Sequence, residues 1–332
     1  MRAMTYSQQG PAAEVLRLTE FELPEPGPGQ VRVQIAYSAV NPTDVKTRSG
    51  MTGQVIEQPQ IPHMDGSGII DAVGEGVSPS RIGERVWLML VAFGSAWGTA
   101  AEAIIVDSAR AIELPAHITL KHAATIAVPS LTAAYCLFND GGLFRDGSLT
   151  DCNVLIQGGA GGVGRAAIEL AVLGQAHVCA TASTPAKQEI ARTAGAHLVV
   201  DYRDPQAAEQ ILAASGGIDR IIELNLGVNL ELDLAVIRTG SSIVTYAADG
   251  TDPQIPVRRL MMACIDLRFM ILYNITPAEL ANAIEIVSSA LERRALTIPP
   301  TRVFALEECV DAHVAQEAGP DSRLLLLVNE LE

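Results

Sequence analysis

No two of the five cysteines, Cys136, Cys152, Cys179, Cys264 and Cys309, are close enough to form a CxxC pair. That excludes the four-cysteine zinc lobe and gives no disulfide framework, so free thiols in a reducing cytoplasm are expected. No apolar run reaches the ~18 residues of a membrane helix. The opening stretch MRAMTYSQQGPAAEV lacks the apolar core of a signal peptide. Basic residues are scarce: 23 Lys and Arg stand against 38 Asp and Glu, a formal net charge of −15. Such a surface repels phosphate backbones and anionic membranes, so neither nucleic acid nor membrane is an expected partner. Internal repeats and low-complexity tails are also missing. What is present is a chain of 332 residues, 48% hydrophobic. At roughly 150 residues per domain it has room for about two domains, each with its own core.

The first part of the chain is rich in short strands. VRVQIAYSAV (31–40) alternates Val31, Val33 and Ile35, as a half-buried strand does. GIIDAVGEGV and ERVWLMLVAF follow between glycine turns, a density that fits a barrel or sandwich. Near residue 120 the pattern changes. HITLKHAATIAVPSLTAAYCLF has helical spacing with an interruption expected at Pro129. Then strands NVLIQG, HVCATA, HLVVDY, DRIIEL and SSIVTY alternate with helices GRAAIELAVLGQ and PAKQEIARTAGA. That rhythm predicts a doubly wound parallel sheet. Beyond it, Thr276, Pro277 and Glu279 predict a capped helix start. TRVFALEE and SRLLLLV then read as strands that rejoin the first domain.

The most specific motif is GGAGGVG, residues 158–164. Gly159, Gly161 and Gly164 have G-x-G-x-x-G spacing between a strand and a helix, with Ala160, Gly162 and Val163 completing the turn. In that context one glycine permits a tight turn, one lets the backbone approach a pyrophosphate, and one lets helix and strand pack closely. The helix start adds N–H donors and a positive dipole end. NAD-type folds place an acid about 20 residues on, where it binds the ribose hydroxyls. Here CATASTPAKQ has none through Lys187, and Ser183 and Lys187 would attract a 2′-phosphate. NADPH is therefore the expected cofactor. Asn225 and Tyr246 close the fourth and fifth strands, where ligands of such sheets are expected.

Taken in order, VNPTDVKTRSG, DGSGIIDAVGEGV, GERVW, VPSLTAAY and GGAGGVG make the whole chain resemble the zinc-independent quinone oxidoreductases. These are the zeta-crystallin-like members of the medium-chain dehydrogenase/reductase superfamily. The resemblance implies an α/β protein: a GroES-like β-rich catalytic domain from both termini (1–124 and 265–332) around a Rossmann domain (125–264). It also implies a cleft between them and a homodimer. Edge strands such as SSIVTY and RFMILY offer a place for two copies to pair.

The stretch IPHMDGSG (61–68) raises the matter of metal, because zinc members of the superfamily take a histidine there. Matched motif by motif, their ligand positions fall on Asn41, Met64 and the vicinity of Val128. His63 is one residue out of register. Asn, Met and Val do not make a tetrahedral zinc site, so no metal is expected. The resemblance places Thr132 and Asn41 near the nicotinamide and Tyr202 near the adenosine 2′-phosphate. Lys46 replaces the tyrosine of the family's NPxDxY pattern, which resembles related alkenal and enone reductases. It is either a donor to the substrate oxygen or the cofactor ribose, or a salt-bridge partner of Asp44. His63 is either a polar contact in the cleft or a structural histidine, and Asp65 more naturally ties the loop together. Phe93, Trp87 and Trp97 are either a pocket wall or core. The expected activity is NADPH-dependent reduction of a quinone or an α,β-unsaturated carbonyl. The alternatives are an enoyl-thioester reductase of secondary metabolism and a non-enzymatic zeta-crystallin-like binding protein.

Overall fold

The computed structural model describes residues 1–138, 148–248 and 253–331. They form two compact units: Met1–Val128 with Ile298–Glu332, and Pro129–Thr297. The first unit supplies β1 (Arg2–Thr5), β2 (Arg17–Glu20), β3 (Gln30–Val40), β4 (Asp65–Val73), β5 (Arg85–Leu88), β6 (Ala103–Asp107) and β7 (Ala111–Glu113). The second supplies β8 (Asn153–Ile156), β9 (His177–Thr181), β10 (Leu198–Val200), β11 (Ile218–Glu223), β12 (Ile237–Thr245) and β13 (Asp266–Phe269). The chain then returns to the first unit with β14 (Thr301–Ala305) and β15 (Arg323–Leu327).

In the first unit β3 is the organising strand. One edge pairs with β4; the other pairs with β6 through its first half and with β15 through its second. Val31, Val33 and Ile35 are all fully buried, so the alternation in the sequence marks the core face. Ile70 and Val86 meet them there, with Leu324 and Leu326 from the chain's far end. The expected return of the C-terminal strands is therefore observed.

The second unit carries six parallel strands in the order β10-β9-β8-β11-β12-β13. The order reverses between β8 and β11, which is where a doubly wound sheet opens a ligand crevice. Helices Gly162–Leu173, Pro185–Thr193 and Ala207–Ser215 connect the strands. Thr276 caps helix Pro277–Glu292: its Oγ1 accepts from Glu279 N at 3.3 Å while Glu279 Oε2 accepts from Thr276 N at 2.7 Å.

Three expectations need adjustment. Pro129 does not interrupt a helix. It lies in the first turn of helix Ala127–Phe138, where its missing N–H has no intrahelical acceptor to lose. The break comes earlier, between Leu120–Ala123 and that helix. The second unit also runs past residue 264 to Thr297. β13 adds to the parallel sheet beside β12, and the buried pair Arg165 and Glu169 binds Thr297 at its carbonyl, N–H and hydroxyl. Finally, SSIVTY is no edge strand: β12 lies between β11 and β13, and β13 forms the edge.

Candidate functional site

The turn between β8 and helix Gly162–Leu173 is fixed by a chain of polar contacts that starts at its foot. Gly158 N donates to Thr181 Oγ1 at 3.0 Å, Thr181 Oγ1 donates to Gln157 Oε1 at 2.7 Å, and Gln157 Nε2 donates to Asp233 Oδ1 at 2.7 Å. Asp233 and Glu223 are fully buried. Burial drives the Asp233 carboxyl well above its ordinary range, and the Glu223 charge beside it pushes the same way. Glu223 accepts from Asn225 N and from Asn229 Nδ2, the latter at 3.0 Å. Asn225 thus starts its helix against a carboxylate at the end of β11. Tyr246 follows β12, half-buried; burial raises its phenol, so it stays protonated and a donor. Glu223, Asp233 and Gln157 were not singled out in the sequence, because an acid in a strand or helix shows no sign there of being interior.

The glycines do what their spacing requires. A Cβ on Gly164 would lie 2.2 Å from Gly158 O, so helix and turn approach too closely for any side chain. A Cβ on Gly161 would meet only Gly158 O, at 3.4 Å, which leaves open space over this exposed residue. Gly161 is also the N-cap, and no side chain caps the helix. Uncapped N–H groups, a dipole end and open space are what a pyrophosphate needs, so the residues fit a dinucleotide. Gly159, Ala160, Gly162 and Val163 make up the rest of this turn.

Past β9, Ser183 and Lys187 flank the start of helix Pro185–Thr193, whose N-cap Thr184 accepts from Lys187 N at 3.2 Å. Tyr202 follows β10, 38% exposed. Arg203 belongs with them and was missed in the sequence. Its guanidinium donates to Ser183 O, pairs with Asp201 at 2.7 Å and lies 5.8 Å from the Tyr202 ring centre. The signal was there in VVDYRD, next to the tyrosine. Thr132 lies in helix Ala127–Phe138, buried.

In the first unit, the motif residues form a buried polar cluster. Asn41 starts helix Pro42–Ser49; its N–H donates to Asp44 Oδ2 at 2.7 Å. Asn41 Nδ2 donates to Asp65 Oδ2 at 2.9 Å and Asn41 Oδ1 accepts from Arg323 at 3.1 Å. Asp65 Oδ2 also accepts from Val128 N at 3.1 Å, and Asp44 Oδ1 from Met64 N at 3.1 Å. Burial pushes Asp65 up to about 6 and Asp44 up to about 8. The three residues at the family's zinc positions are therefore a committed amide, a buried thioether and a backbone N–H donor. Asp65 ties its loop together, as read from the sequence.

Lys46 is half-buried on the same helix. Asp44 faces inward two residues earlier, and residues two apart on a helix do not face each other, which disfavours a salt bridge between them. His63 lies inside the first unit, the second of its two readings. It is fully buried, with Nδ1 2.7 Å from Ser38 Oγ and Nε2 3.0 Å from His313 Nε2. Trp87 is fully buried, Trp97 packs on Phe21 with ring centres 5.8 Å apart, and Phe93 is exposed, so the three do not make one wall.

A GroES-like unit of this kind, joined in one chain to a doubly wound sheet with a dinucleotide turn, defines the class of medium-chain dehydrogenases and reductases. Residues 27–116 match the alcohol dehydrogenase GroES-like domain and residues 162–289 the zinc-binding dehydrogenase domain. A quinone oxidoreductase of Sus scrofa is 30% identical over 95% of this chain and 94% of its own length. An NAD-dependent alcohol dehydrogenase superposes at TM-score 0.87 with 25% identity, over 99% of this chain and all of its own. A mycobacterial protein crystallised with NADPH superposes at TM-score 0.83 with 25% identity, over the same shares. The chain belongs to the quinone oxidoreductase family and is an oxidoreductase.

Proposed function

We propose that this chain reduces quinones or α,β-unsaturated carbonyls with NADPH, with no metal ion at the reacting carbonyl. The observation that carries the reading is the full-length relationship to quinone oxidoreductases, joined to a 2′-phosphate corner built from Ser183, Lys187, Tyr202 and Arg203. Arg203 and Lys187 supply positive charge where an NAD enzyme needs an acid. Bound NADPH supplies the hydride. The uncapped helix start at Gly161 holds the pyrophosphate, and Asn225 and Tyr246 border the crevice at the strand ends. Asn41 is a positioning residue, since both ends of its amide are engaged. Thr132 keeps the place near the nicotinamide that the family resemblance gives it. Lys46 is the donor that stabilises negative charge on the substrate oxygen as hydride arrives, a role that needs no metal. Support for metal-free chemistry comes from Asn41, Met64 and Val128 at the zinc positions.

The protein is proposed to work as a homodimer in a reducing, cytoplasmic compartment. Among the described residues β13 is an edge of its sheet, and Met261, Met262, Phe269 and Ile271, before and after it in the chain, are exposed apolar residues that a second copy would cover. None of the five cysteines is in a disulfide, and no helix among the described residues is long and apolar enough to cross a membrane. A steady-state panel of a quinone, an alkenal and an enoyl-CoA, each with NADPH and with NADH, tests the reading. Turnover of the quinone or alkenal with NADPH supports it; turnover confined to the enoyl-CoA or to NADH contradicts it.

A further inference from the structure

His63 meets residues from the far end of the chain. One ring nitrogen each from His63 and His313 and the Cys309 sulfur all lie within 4.8 Å of one another, and all three residues are fully buried. Cys309 and His313 are four apart on helix Cys309–Glu317, one turn, so they share a face. From this geometry we propose that His63, Cys309 and His313 form a binding site for one thiophilic d¹⁰ cation, Cu(I), inside the first unit.

The hydrogen bonds fix which nitrogen of His63 is available. Thr99 Oγ1 donates its only proton to Asp65 O at 2.5 Å. It therefore accepts from Ser38 Oγ, 2.7 Å away. Ser38 has then no proton left for His63, so His63 Nδ1–H donates to Ser38 Oγ. His63 Nε2 bears a lone pair, directed at His313. A metal-binding histidine is oriented in just this manner, with its other N–H held by an oxygen. His63 holds a left-handed backbone, φ 84°, rare outside glycine, and such conformations cluster at ligand clamps. His313 Nε2–H is then the donor to the His63 Nε2 lone pair, and His313 Nδ1 carries a second lone pair, buried without a hydrogen-bond partner. The 3.0 Å between the two Nε2 atoms is that hydrogen bond; a cation between them replaces it and moves the His313 proton to Nδ1.

Ligand number and charge select the ion. Structural zinc takes four ligands, and among the described residues three candidates converge. Zn(II) with one thiolate also leaves a net positive charge in a fully buried site. Cu(I) with one thiolate and two neutral imidazoles has no net charge, and thiolate suits it. Binding replaces the Cys309 S–H bond by S–Cu and releases one proton, with no change of oxidation state. None of the three ligands is at the superfamily's zinc positions, Asn41, Met64 and Val128, so the site is separate from the reaction proposed above.

The test uses the full-length protein, reduced and anaerobic, titrated with Cu(I) against a chromogenic Cu(I) chelator. Metal is offered to the folded chain and also during refolding, because the site is closed to solvent. The expected result is one equivalent of Cu(I) with one sulfur and two nitrogens in its X-ray absorption shell. Cys309→Ala and His313→Gln should each weaken it at least a hundredfold, and Ser38→Ala about 10–100-fold, with NADPH binding unchanged. No stoichiometric binding in either arm, or a shell without sulfur, overturns the site. So does binding that survives Cys309→Ala. One equivalent of Zn(II) displacing Cu(I) at these residues overturns the choice of ion. The absorption measurement on the unaltered protein stands even if a variant fails to fold.

Discussion

Arg203 offers the sharpest perturbation of cofactor choice. Its guanidinium is anchored by the Ser183 carbonyl and by Asp201, yet its side chain is 58% exposed, at the corner proposed for the 2′-phosphate. A charge-assisted contact to phosphate, screened at such an exposed rim, is worth about a factor of ten in affinity. Arg203→Gln removes that contact and also uncovers the Asp201 carboxylate, which repels phosphate. The loss in kcat/KM for NADPH should therefore exceed tenfold, roughly 10–30-fold. Asp201→Asn added to Arg203→Gln should restore the loss to about tenfold by removing the repulsion. Lys187→Ala alone should cost about tenfold. NADH lacks the phosphate, so its kcat/KM should stay within about twofold in every variant. The assay is steady-state kinetics with each cofactor at saturating quinone. An NADPH-to-NADH preference unmoved by both Arg203→Gln and Lys187→Ala refutes the assignment of this corner.

Other consequences follow from the same structure. Gly164→Ala sets a Cβ 2.2 Å from Gly158 O, so it should cost about 1–3 kcal/mol of stability, visible as a lower melting temperature. Gly161→Ala has only a 3.4 Å contact; it should keep the melting temperature and lose dinucleotide affinity in a fluorescence titration. Lys46→Met should lower kcat roughly 10²–10³-fold with the NADPH KM unchanged, the size of losing one donor to a developing oxyanion; unchanged turnover on every substrate removes Lys46 from the reaction. Asp65 gives a pH signature. Its carboxyl pKa is raised to about 6 in the folded state, so the folded chain holds more protons than the unfolded chain above about pH 4. Stability is then greatest below that pH and falls as pH climbs through 6, by on the order of 1.4 kcal/mol for each pH unit separating the folded and unfolded values. Asp65→Asn should flatten the slope of denaturation midpoint against pH between about 4 and 6, and an unaltered slope contradicts the burial argument.

Much of this was legible in the chain, and the rest was hidden for definable reasons. Strand β3 showed itself through Val31, Val33 and Ile35, and the dinucleotide turn through glycines whose spacing has one use. Short-range chemistry of that kind is written in consecutive residues. The extent of the second unit was not, since β13 and Thr297 join it through pairings made far along the chain. His63 illustrates the same limit. The sequence offered a histidine beside a metal position and no further ligands, while Cys309 and His313 reach it only once β15 and its preceding helix fold back. Arg203 was overlooked because an exposed arginine in a loop looks like solvated charge until its carbonyl anchor is seen. Glu223 and Asp233 carried no sign of burial, which only the packed helix behind β11 imposes.

The central claim is reduction of a conjugated carbonyl by NADPH without metal at the reacting oxygen. It is tested most directly by following NADPH consumption with a quinone and with an alkenal, using protein stripped by a strong chelator and then resupplied with zinc. The account predicts turnover of at least one substrate by the stripped protein, unchanged when zinc is added back. Turnover that disappears on stripping and returns with zinc, or none with either substrate, would contradict it.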